Sequence, residues 1–405
     1  MICTGCGACF GELHNMRSLA TEGGNDSFPA SGHFVIGADI GTTTIAMACV
    51  SPEGVVCDTY VGLNLQGEYG RDVLSRIVAA EDPEKAEKMR VSVLGFLEEG
   101  VRRFLGDVIP DDLRMSIACN MTMKYLLLGR DPQELGKAPF HASYPGRERV
   151  RVCGIEAEVL PGFSAFVGGD LYAGRLAAAW GAVQGPRTLL VDLGTNGECL
   201  LWDEKGICGC AAAAGPAFEG GAGRGVWGAD LVHFLAELRR EGFVDETGLL
   251  ADPYFEEGIL IGGIRMTQKE IRDLQLAKSA IAVGTQTLVK EGGMPDRVVL
   301  AGGFGYFLQP ENAIAIGLLP EDFAGKIVPG GNTALRGAIL DASDLTVTPP
   351  GQVLDPTGRL LAGMEEAHRE ENAPGAKILN LAQLPDFQEE FMQHTELAPF
   401  RLMKE

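Results

Sequence analysis

The chain has 405 residues, a formal net charge of −21 and a hydrophobic fraction of 46%, which is enough for two or three domains with substantial cores. The acidic balance argues against nucleic acid as a partner, because an excess of lysine and arginine binds phosphate backbones. The sequence has no apolar run of about 18 residues, which predicts no membrane span, and its N-terminus lacks the basic-then-apolar pattern of a secretory signal. Ten cysteines without such a signal predict reduced thiols and a cytoplasmic location.

Residues 1–32 are predicted to be a cysteine-rich segment followed by a small, polar linker. The cysteines have the spacing of the first part of a bacterial ferredoxin cluster motif, without its fourth cysteine and following proline: Cys3, Cys6 and Cys9. Three interpretations stay open. The cysteines hold a 4Fe–4S cluster with a fourth ligand from His14, another cysteine, solvent or a partner chain; they are the remnant of a longer ferredoxin segment; or they bind zinc in a site that three thiolates leave incomplete.

The first predicted domain, residues 33–183, opens with a buried strand and a turn rich in glycine and threonine. The apolar run 34–36 leads to Asp39, and the turn follows at once: Gly41, Thr42, Thr43 and Thr44. Glycine lets the backbone approach phosphate oxygens, successive N–H groups form an anion-binding concavity, and threonine hydroxyls add donors. Asp39 is a candidate magnesium ligand, since Mg²⁺ keeps most of its waters and takes one or two carboxylates plus phosphate oxygens.

Local signals predict the other elements of this domain. Apolar residues at helical spacing predict a helix over about 83–106. Residues 117–123 are typical of a strand, a turn and a helix start, with Asn120 as the helix N-cap. A glycine pair then opens a predicted helix over 168–181, and Asp170 lies in its first turn.

The second predicted domain, residues 184–345, repeats the opening of the first. An apolar run over 188–191 leads to Asp192, and the turn follows: Gly194, Thr195, Asn196 and Gly197. A third turn follows the apolar run 297–301: Gly302, Gly303 and Phe304. A single Asp-x-Gly-Thr is most simply a strand-to-turn connection, but two copies and a Gly-Gly turn outline an ATP site. Asp39 and Asp192 then hold the metal from both sides.

The end of the chain carries fewer signals. Thr267 and Glu270 have the spacing of a capping box, which predicts a helix over 267–291. Residues 346–405 are predicted to be an extension packed on the second domain, with a strand over 376–381 and a closing helix.

This order of motifs resembles the actin, sugar-kinase, acetate-kinase and heat-shock-chaperone ATPases. The resemblance implies an α/β fold of two RNase H-like domains, the actin-like ATPase fold, with the nucleotide in the cleft between them. The three turns correspond to the phosphate-1, phosphate-2 and adenosine motifs of that superfamily. In the same correspondence Asp170 matches the acid that orients the attacking water. Glu219 is the alternate candidate for that role, and Asp192, the expected magnesium ligand, is counted with the catalytic residues. The other interpretation of Asp170, a first-turn carboxylate that favours the helix dipole, stays open.

Four further elements resemble a narrower family, the ATP-dependent reductive activators of corrinoid proteins. They are residues 64–77, 208–220, 267–278 and 386–391, and the resemblance extends over about residues 33–400. It implies a protein that returns an oxidised Co(II) corrinoid protein of a methyltransferase system to Co(I). The implied cofactors are ATP, Mg²⁺ and a 4Fe–4S cluster.

The chain departs from that family in one respect. Characterised members have a full ferredoxin-like domain, whereas here only the N-terminal cysteines carry part of its motif. An external ferredoxin-like donor is therefore a further expected partner beside the corrinoid protein. Cys208 and Cys210 are a second candidate for cluster binding, with packing under a glycine-rich turn as the alternative.

Two other functional classes stay open. The same ATPase can activate another low-potential enzyme, such as a 2-hydroxyacyl-CoA dehydratase, and the superfamily also contains small-molecule kinases. A kinase would place polar substrate-binding residues in the cleft and would not need the N-terminal cysteines. The sequence does not identify the acceptor, the electron donor or whether the chain forms a homodimer.

Overall fold

In the computed structural model, the residues described are 28, 31–106, 109–110, 112–180, 187–194, 197–218, 228–261, 263–343 and 375–402. Within these ranges two six-stranded sheets organise the molecule. The strands of the first sheet are β1 (Val35–Ile40), β2 (Thr44–Val50), β3 (Val56–Leu63), β4 (Arg114–Cys119), β5 (Glu148–Val152) and β6 (Ile155–Val159). Those of the second sheet are β7 (Thr188–Leu193), β8 (Gly197–Asp203), β9 (Gly206–Ala212), β12 (Arg297–Ala301), β13 (Ile327–Gly331) and β14 (Lys377–Leu379). The strands β10 (Ile259–Ile261) and β11 (Ile264–Met266) form a separate hairpin.

Five strands of each sheet share one topology, and the sixth strand differs. The first sheet has the order β3–β2–β1–β4–β6–β5, with β2 antiparallel to its neighbours β1 and β3, β4 parallel to β1 and β6 parallel to β4, and β5 is added antiparallel to β6. The second has the order β13–β12–β7–β8–β9–β14, with β8 antiparallel to its neighbours β7 and β9, β12 parallel to β7 and β13 parallel to β12, and β14 is added parallel to β9 at the other edge. The repeat that the two Asp-containing turns predict is therefore present in the fold. It is the paired arrangement expected of an actin-like ATPase.

The central strands explain why the two motifs meet. The four aliphatic residues of β1 are fully buried, as expected where helices cover both faces of a sheet. Asp39 lies beside Ala118 of β4, and Asp192 lies beside Ala301 of β12, at matching positions near the carboxyl ends of the parallel strands. Ligands of open α/β sheets bind at that edge.

Helices connect and cover the strands. In the first half they are α1 (Val73–Ala79), α2 (Pro83–Leu105), α3 (Met121–Leu127), α4 (Gln133–Gly136) and α5 (Gly169–Ala179). In the second half they are α6 (Gly228–Arg240), α7 (Tyr254–Glu257), α8 (Gln268–Gly292), α9 (Gly302–Phe307), α10 (Pro310–Ala315) and α11 (Thr333–Ala342), and α12 (Phe387–Gln393) lies near the end. Short 3₁₀ turns are formed by Leu65–Glu68, Gly215–Phe218, Glu321–Phe323 and Leu381–Gln383. In the described ranges no helix is long and apolar enough to cross a membrane.

The two helices with the clearest start signals in the sequence, α2 and α8, are confirmed. Helix α2 begins after Asp82, whose carboxylate accepts from the Glu84 N–H at 3.0 Å, and has proline at its start. Helix α8 begins at the predicted capping box. The Thr267 N–H donates to Glu270 Oε2 at 2.8 Å, and the Glu270 N–H donates to Thr267 Oγ1 at 3.3 Å.

Helices α5 and α11 cross where the two halves of the molecule meet. A Cβ added at Gly337 of α11 would lie 1.9 Å from the Ala173 carbonyl oxygen of α5, so the two backbones are in direct contact. Helix α11 also packs on the first sheet, where a Cβ at Gly37 would lie 2.5 Å from Ile339. Helix α5 in turn contacts Leu190 of the second sheet through Gly174. Each sheet is thus covered partly by a helix from the other half.

A buried ion pair fixes α11 to the first sheet. Arg147 donates to both carboxylate oxygens of Asp341 at 2.9 and 2.7 Å, and both side chains are 5% exposed. Ser116 of β4 donates to the same carboxylate at 2.7 Å. The bidentate geometry orients α11 on the sheet.

The last described segment, residues 375–402, is held by α8. Strand β14 pairs with the edge of β9. The Gln275 amide donates to the carbonyls of Thr247 and Thr395 at 2.9 and 2.7 Å. The Lys278 ammonium, which is 1% exposed, donates to the Glu396 carbonyl. The family-like element 267–278 therefore anchors the C-terminal segment.

Candidate functional site

A cavity of about 1170 Å³ receives residues from both halves of the fold and from the C-terminal segment. Residues of all three predicted turns line it: Asp39, Gly41, Thr42, Thr43 and Thr44; Asp192 and Gly194; and Gly302, Gly303 and Phe304. Asp170 lines it as well. The structure therefore brings together residues that are widely separated in the sequence.

The first turn is a tight reversal between β1 and β2. The Gly41 N–H donates to the Thr44 carbonyl at 2.9 Å. A Cβ at Gly41 would lie 2.9 Å from that same oxygen, so a side chain would crowd the turn. The Thr42 hydroxyl oxygen accepts from the Asn120 amide at 3.3 Å. The turn thus presents its three threonines to the cavity in a fixed conformation.

Asp39 has a partner that sequence analysis did not single out. The Asn332 side-chain amide donates to Asp39 Oδ2 at 2.9 Å, while the side-chain oxygen Oδ1 of Asn332 accepts from the Leu335 N–H at 2.8 Å. Asn332 is thus both the N-cap of α11 and an orienting group for Asp39. A small polar residue before a helix signals a cap, but no local pattern indicates a contact with a strand so distant in sequence.

Asp170 approaches the same point from α5. Its carboxylate accepts from the Leu171 N–H at 2.9 Å in the first turn of the helix. A Cβ at Gly168, just before the helix, would lie 2.6 Å from the Cα of Asn120, so the helix start touches the end of β4. The glycine pair is needed for this close approach, which places Asp170 beside the first turn.

The three aspartates influence one another electrostatically. Burial raises the pKa of Asp39 to about 7, with the Asp170 carboxylate adding to the rise and the Asn332 hydrogen bond opposing it. Burial, reinforced by Asp170 and Asp39, raises the pKa of Asp192 to about 7. Burial also raises the pKa of Asp170 to about 6 against two backbone hydrogen bonds. The three carboxylates therefore lie near enough to repel one another, and a divalent cation beside them would relieve that repulsion.

The donor set fits Mg²⁺ carried in by a nucleotide better than a metal held by protein alone. Within the described ranges, no three His, Cys, Asp or Glu side chains are grouped closely enough to hold a metal ion. Mg²⁺ typically binds one or two carboxylates and fills its octahedron with water and phosphate oxygens. Asp39 and Asp192, one from each sheet, meet that requirement.

The third turn packs directly on the second. Gly302 has a positive φ of 78°, and a Cβ there would lie 2.7 Å from Asp192 Oδ1 and 2.6 Å from the Leu193 carbonyl oxygen. Phe304 is 3% exposed and stacks on Phe218, with ring centroids 4.7 Å apart. Gly302 thus joins the two motifs, and the stacked rings form one wall of the cavity.

Several predicted residues lie outside the described part of the chain. They are Thr195 and Asn196 of the second turn, the alternate acid Glu219, and the candidate cluster ligands Cys3, Cys6 and Cys9. Gly197, by contrast, begins β8, where a Cβ would lie 2.8 Å from Ile281 of α8. Its role in the fold is close packing behind the turn.

Two further residues, Glu198 and Asn120, line the cavity beside the predicted site residues. Glu198 pairs with Asp192 across β7 and β8 and also lines the cavity. Side chains directly opposite each other on neighbouring strands share a face of the sheet. A strand pairing inferred from the second turn would therefore have indicated that Glu198 lies beside Asp192. Asn120 is the predicted N-cap of α3, accepting from the Met123 N–H at 3.0 Å, and it also contacts Thr42.

The cysteine pair of β9 belongs to the core. Cys208 and Cys210 are 9% and 0% exposed, and Cys210 faces Cys199 of β8. A Cβ at Gly292 of α8 would lie 3.1 Å from Cys208 Sγ. These contacts support packing as the role of the pair. Cys49 of β2 is buried in the same way, at 1% exposed.

The raised pKa values predict a pH-dependent affinity for the magnesium nucleotide. A carboxylate binds a metal in its ionised form, and the pKa values of the expected magnesium ligands Asp39 and Asp192 are about 7, so binding should release protons and strengthen as pH rises. Between pH 6 and 8 the association constant should rise about tenfold for each carboxylate that must ionise. Calorimetric titration of MgATP across this range measures the effect.

Asp39→Asn provides the control for this prediction. It removes one of the two ionisations, so the rise with pH should become shallower even though overall affinity falls. An affinity independent of pH between 6 and 8 in the unsubstituted protein would contradict the assignment of both carboxylates.

Comparison with known proteins agrees with this architecture. The model of the RACo middle region matches residues 34–180, and the model of the C-terminal domain of RACo, the ASKHA domain, matches residues 187–225 and 222–347. The corrinoid activation enzyme RamQ from Eubacterium limosum is 28% identical in an alignment of length 386 that covers 75% of this chain and 63% of RamQ. This chain therefore spans less than two thirds of the length of that relative.

A solved structure extends the similarity to three dimensions. The reductive activator for corrinoid, iron–sulfur protein superposes with a TM-score of 0.71 at 26% identity, over 92% of this chain and 67% of that chain. The two RACo models together extend from residue 34 to residue 347, and they include every described residue of the three turns. The chain therefore belongs to the RACo family, with the ASKHA, or actin-like ATPase, fold.

Proposed function

We propose that this protein is an ATP-dependent activator that returns an oxidised Co(II) corrinoid protein of a methyltransferase system to Co(I). The observation that carries the proposal is the convergence of three nucleotide motifs on one cavity in a chain of the RACo family. The names of RamQ and of the solved activator support a corrinoid protein as the partner.

The residues of the cavity suggest how ATP is held. Asp39 and Asp192 would hold Mg²⁺ through its waters from opposite sides of the cleft. Thr42, Thr43 and Thr44 would bind the phosphates, together with Gly194 and the adjoining Thr195 and Asn196. Gly302, Gly303 and Phe304 would lie along the adenosine. Bound magnesium would neutralise charge on the phosphates, so the contribution of the protein to hydrolysis is mainly positioning.

Binding of ATP would act on the partner through the cleft. Its two sides come from different halves of the fold, which meet at the crossing of α5 and α11. A nucleotide that contacts both sides would bind more tightly when the two sides are close together. It would therefore favour a closed arrangement of the cleft. In the proposed cycle the closed arrangement binds the Co(II) protein, one electron from a low-potential donor converts Co(II) to Co(I), and hydrolysis releases the product.

The electron donor is the second part of the proposal. A 4Fe–4S cluster on Cys3, Cys6 and Cys9 would pass the electron within this chain, and an external ferredoxin-like protein would supply it otherwise. Iron and acid-labile sulfide, measured after anaerobic purification, separate these routes. About four of each per chain, with a reduced-cluster paramagnetic resonance signal, support the first route; their absence supports the second.

Asp170 is proposed to orient the attacking water. We expect Asp170→Ala to lower kcat for ATP hydrolysis about a hundredfold, within the range of an acid–base group. The affinity for MgATP should not weaken, because loss of this carboxylate also removes repulsion that raises the pKa values of Asp39 and Asp192. Steady-state kinetics together with calorimetric titration measure the two effects.

The alternative role of Asp170 gives a clear contrast. If it only favours the helix dipole, the substitution costs about 0.5 kcal/mol of stability and leaves kcat unchanged. Glu311→Ala is the matched control, since Glu311 is an exposed acid in the first turn of α10. An equal loss of affinity and kcat would reject the water-orienting role.

The partner specificity is tested by the redox state of the corrinoid protein. ATP hydrolysis by this chain should be stimulated by a corrinoid protein held in the Co(II) state and not by the same protein in the Co(I) state. Stimulation by neither form, or phosphorylation of a small molecule from ATP, would contradict the proposal. The second outcome would favour the kinase class of the superfamily.

A further inference from the structure

Asn120, directly after β4, has a side chain whose orientation the structure fixes. Its side-chain oxygen Oδ1 accepts from the Met123 N–H at 3.0 Å, as the N-cap of α3. In an asparagine side chain the oxygen accepts and the NH₂ group donates. Nδ2 therefore lies on the other side of the amide, 3.3 Å from the Thr42 hydroxyl oxygen. The cap thus determines that Asn120 donates to Thr42 and does not accept from it.

This contact determines the role of the Thr42 hydroxyl. A threonine hydroxyl has one O–H to donate and two lone pairs with which to accept. The Asn120 amide takes one lone pair, so the O–H points away from Asn120. In the described ranges the Thr42 hydroxyl donates to no acceptor. Because Thr42 lines the cavity, its proton is left for a ligand there.

The backbone of the first turn keeps Thr42 in place. The Asn64 side-chain amide donates to the Gly41 carbonyl at 2.8 Å, and the Asn64 N–H donates to the Thr43 carbonyl at 2.9 Å. The carbonyl between them, that of Thr42, accepts from Arg76 Nη2. Three successive carbonyls are therefore held from behind the turn, which fixes the position of the hydroxyl.

Asn332 uses a helix cap in the same way from the other half of the fold. Its Oδ1 accepts from the Leu335 N–H at 2.8 Å, and its Nδ2 donates to Asp39 Oδ2 at 2.9 Å. Each asparagine thus caps a helix with its oxygen and orients a side chain of the first motif with its amide. Asn332 orients the carboxylate expected to hold magnesium, and Asn120 orients a hydroxyl.

The composition of the cavity explains why a fixed donor matters. Asp39, Asp170, Asp192 and Glu198 line it, whereas none of its described lining residues is lysine or arginine. A polyphosphate there meets several carboxylates and depends on magnesium and on neutral donors. A hydroxyl that turned its lone pair to the phosphate would repel it, and one that donated to a carboxylate would be lost as a donor. Orienting the O–H before ATP binds avoids both costs.

We propose that Asn120 is a positioning residue for ATP, which holds the Thr42 hydroxyl as a hydrogen-bond donor to the phosphates. The inference rests on the ATP binding proposed above, and it concerns the phosphate end of the nucleotide. Asn120 acts through Thr42 in this role, so the effect of changing Asn120 should depend on the Thr42 hydroxyl.

Calorimetric titration of MgATP and AMP into the full chain tests this role. Asn120→Asp keeps the shape and the helix cap, but a carboxylate accepts from the Thr42 hydroxyl and turns its proton away from the phosphates. MgATP should bind about tenfold more weakly, the loss expected for one hydrogen bond to a charged group. AMP affinity should stay within about twofold, because AMP lacks the distal phosphates.

A double-mutant cycle separates the hydroxyl from the added charge. Thr42→Val has nearly the shape of threonine without the hydroxyl, and it should itself weaken MgATP binding about tenfold. In the Thr42→Val background Asn120→Asp should cost no more than about twofold further, because no proton remains to redirect. A similar loss from Asn120→Asp in both backgrounds would show that the charge alone acts, and it would reject the role of Asn120.

A neutral variant covers the case in which Asn120→Asp does not fold. Serine also caps a helix, but its shorter side chain does not reach Thr42. Asn120→Ser should therefore weaken MgATP about threefold, and only while the Thr42 hydroxyl is present. Asp82→Asn is the control for changing a helix cap, since Asp82 caps α2 and is not part of the cavity lining. It should bind both nucleotides normally.

The outcomes separate this inference from the proposed function. Failure of the unsubstituted chain to bind MgATP would overturn both. Normal binding by the unsubstituted chain and equally tight MgATP binding by folded Asn120→Asp or Asn120→Ser would overturn only the role of Asn120. A parallel loss of MgATP and AMP affinity would also overturn it, because that pattern indicates general damage to the cleft.

Discussion

We expect Asp192→Asn to reduce kcat/KM for ATP hydrolysis about a thousandfold. Asp192 is the penultimate residue of β7 and lines the cavity, and its Oδ1 would lie 2.7 Å from a Cβ at Gly302. Asparagine preserves this packing but lacks the charge that the proposed magnesium site requires. Losing a metal contact worth about 4 kcal/mol in the transition state corresponds to about three powers of ten in rate.

The control for this substitution is a distant aspartate of similar chemistry. Asp273 is on α8 in an exposed ion pair with Lys269 at 2.6 Å, and Asp273→Asn should leave hydrolysis unchanged. Raising the magnesium concentration should restore part of the activity of Asp192→Asn. Near-normal kcat/KM at limiting magnesium would show that Asp192 does not hold the metal.

Gly337→Ala should produce the largest loss of stability, at least about 3 kcal/mol. The added methyl group would lie 1.9 Å from the Ala173 carbonyl oxygen and 2.3 Å from its carbon. Backbone atoms cannot rotate away as a side chain can, so α5 and α11 would have to separate. Because this crossing joins the two halves around the cleft, nucleotide affinity should fall as well. Chemical denaturation measures the first effect and calorimetric titration the second.

Gly95→Ala is the matched control for this helix substitution. Gly95 lies in α2, is exposed, and a Cβ there meets nothing within 4 Å. Alanine should stabilise that helix by up to about 1 kcal/mol, because it replaces the poorer helix former. If Gly337→Ala unfolded at the same denaturant concentration as the unsubstituted protein, the direct backbone contact of α5 and α11 would be wrong.

The sequence predicted the elements whose signals are local. The apolar runs before Asp39 and Asp192 became the central strands of the two sheets, and Thr267 and Glu270 marked a helix start. Each signal lies within a few residues of the structure that it predicts. Repetition of the strand and turn then predicted the paired fold, because the same local sequence builds the same supersecondary structure.

The contacts that position the site were harder to predict, because they join distant segments. Asn332 orients Asp39 from the start of α11, which depends on where two helices cross. The element of residues 64–77 was singled out by family resemblance alone, and the structure gives its physical reason in the carbonyls that Asn64 and Arg76 hold. Glu198 lies at the cavity because it is paired with Asp192 between β7 and β8. The sequence implied the register of these two strands only indirectly.

The C-terminal segment illustrates the same limit. Residues 386–391 resembled the family without an evident function, and the structure places Phe387 and Phe391 in the lining of the cavity. Their position depends on Gln275 and Lys278, which hold carbonyls near the chain end. Polar residues within a helix rarely indicate which distant backbone they will satisfy.

Anaerobic absorbance spectroscopy of a Co(II) corrinoid protein tests the central claim most directly. The reaction contains this chain, a low-potential one-electron donor and MgATP, with matched reactions that lack ATP or contain Asp192→Asn. We predict that the Co(I) spectrum appears with ATP and the unsubstituted chain, and stays at the background level of the donor alone in the other two reactions. No Co(I) above that background, from a chain that hydrolyses ATP, would contradict the proposed function while leaving the nucleotide site intact.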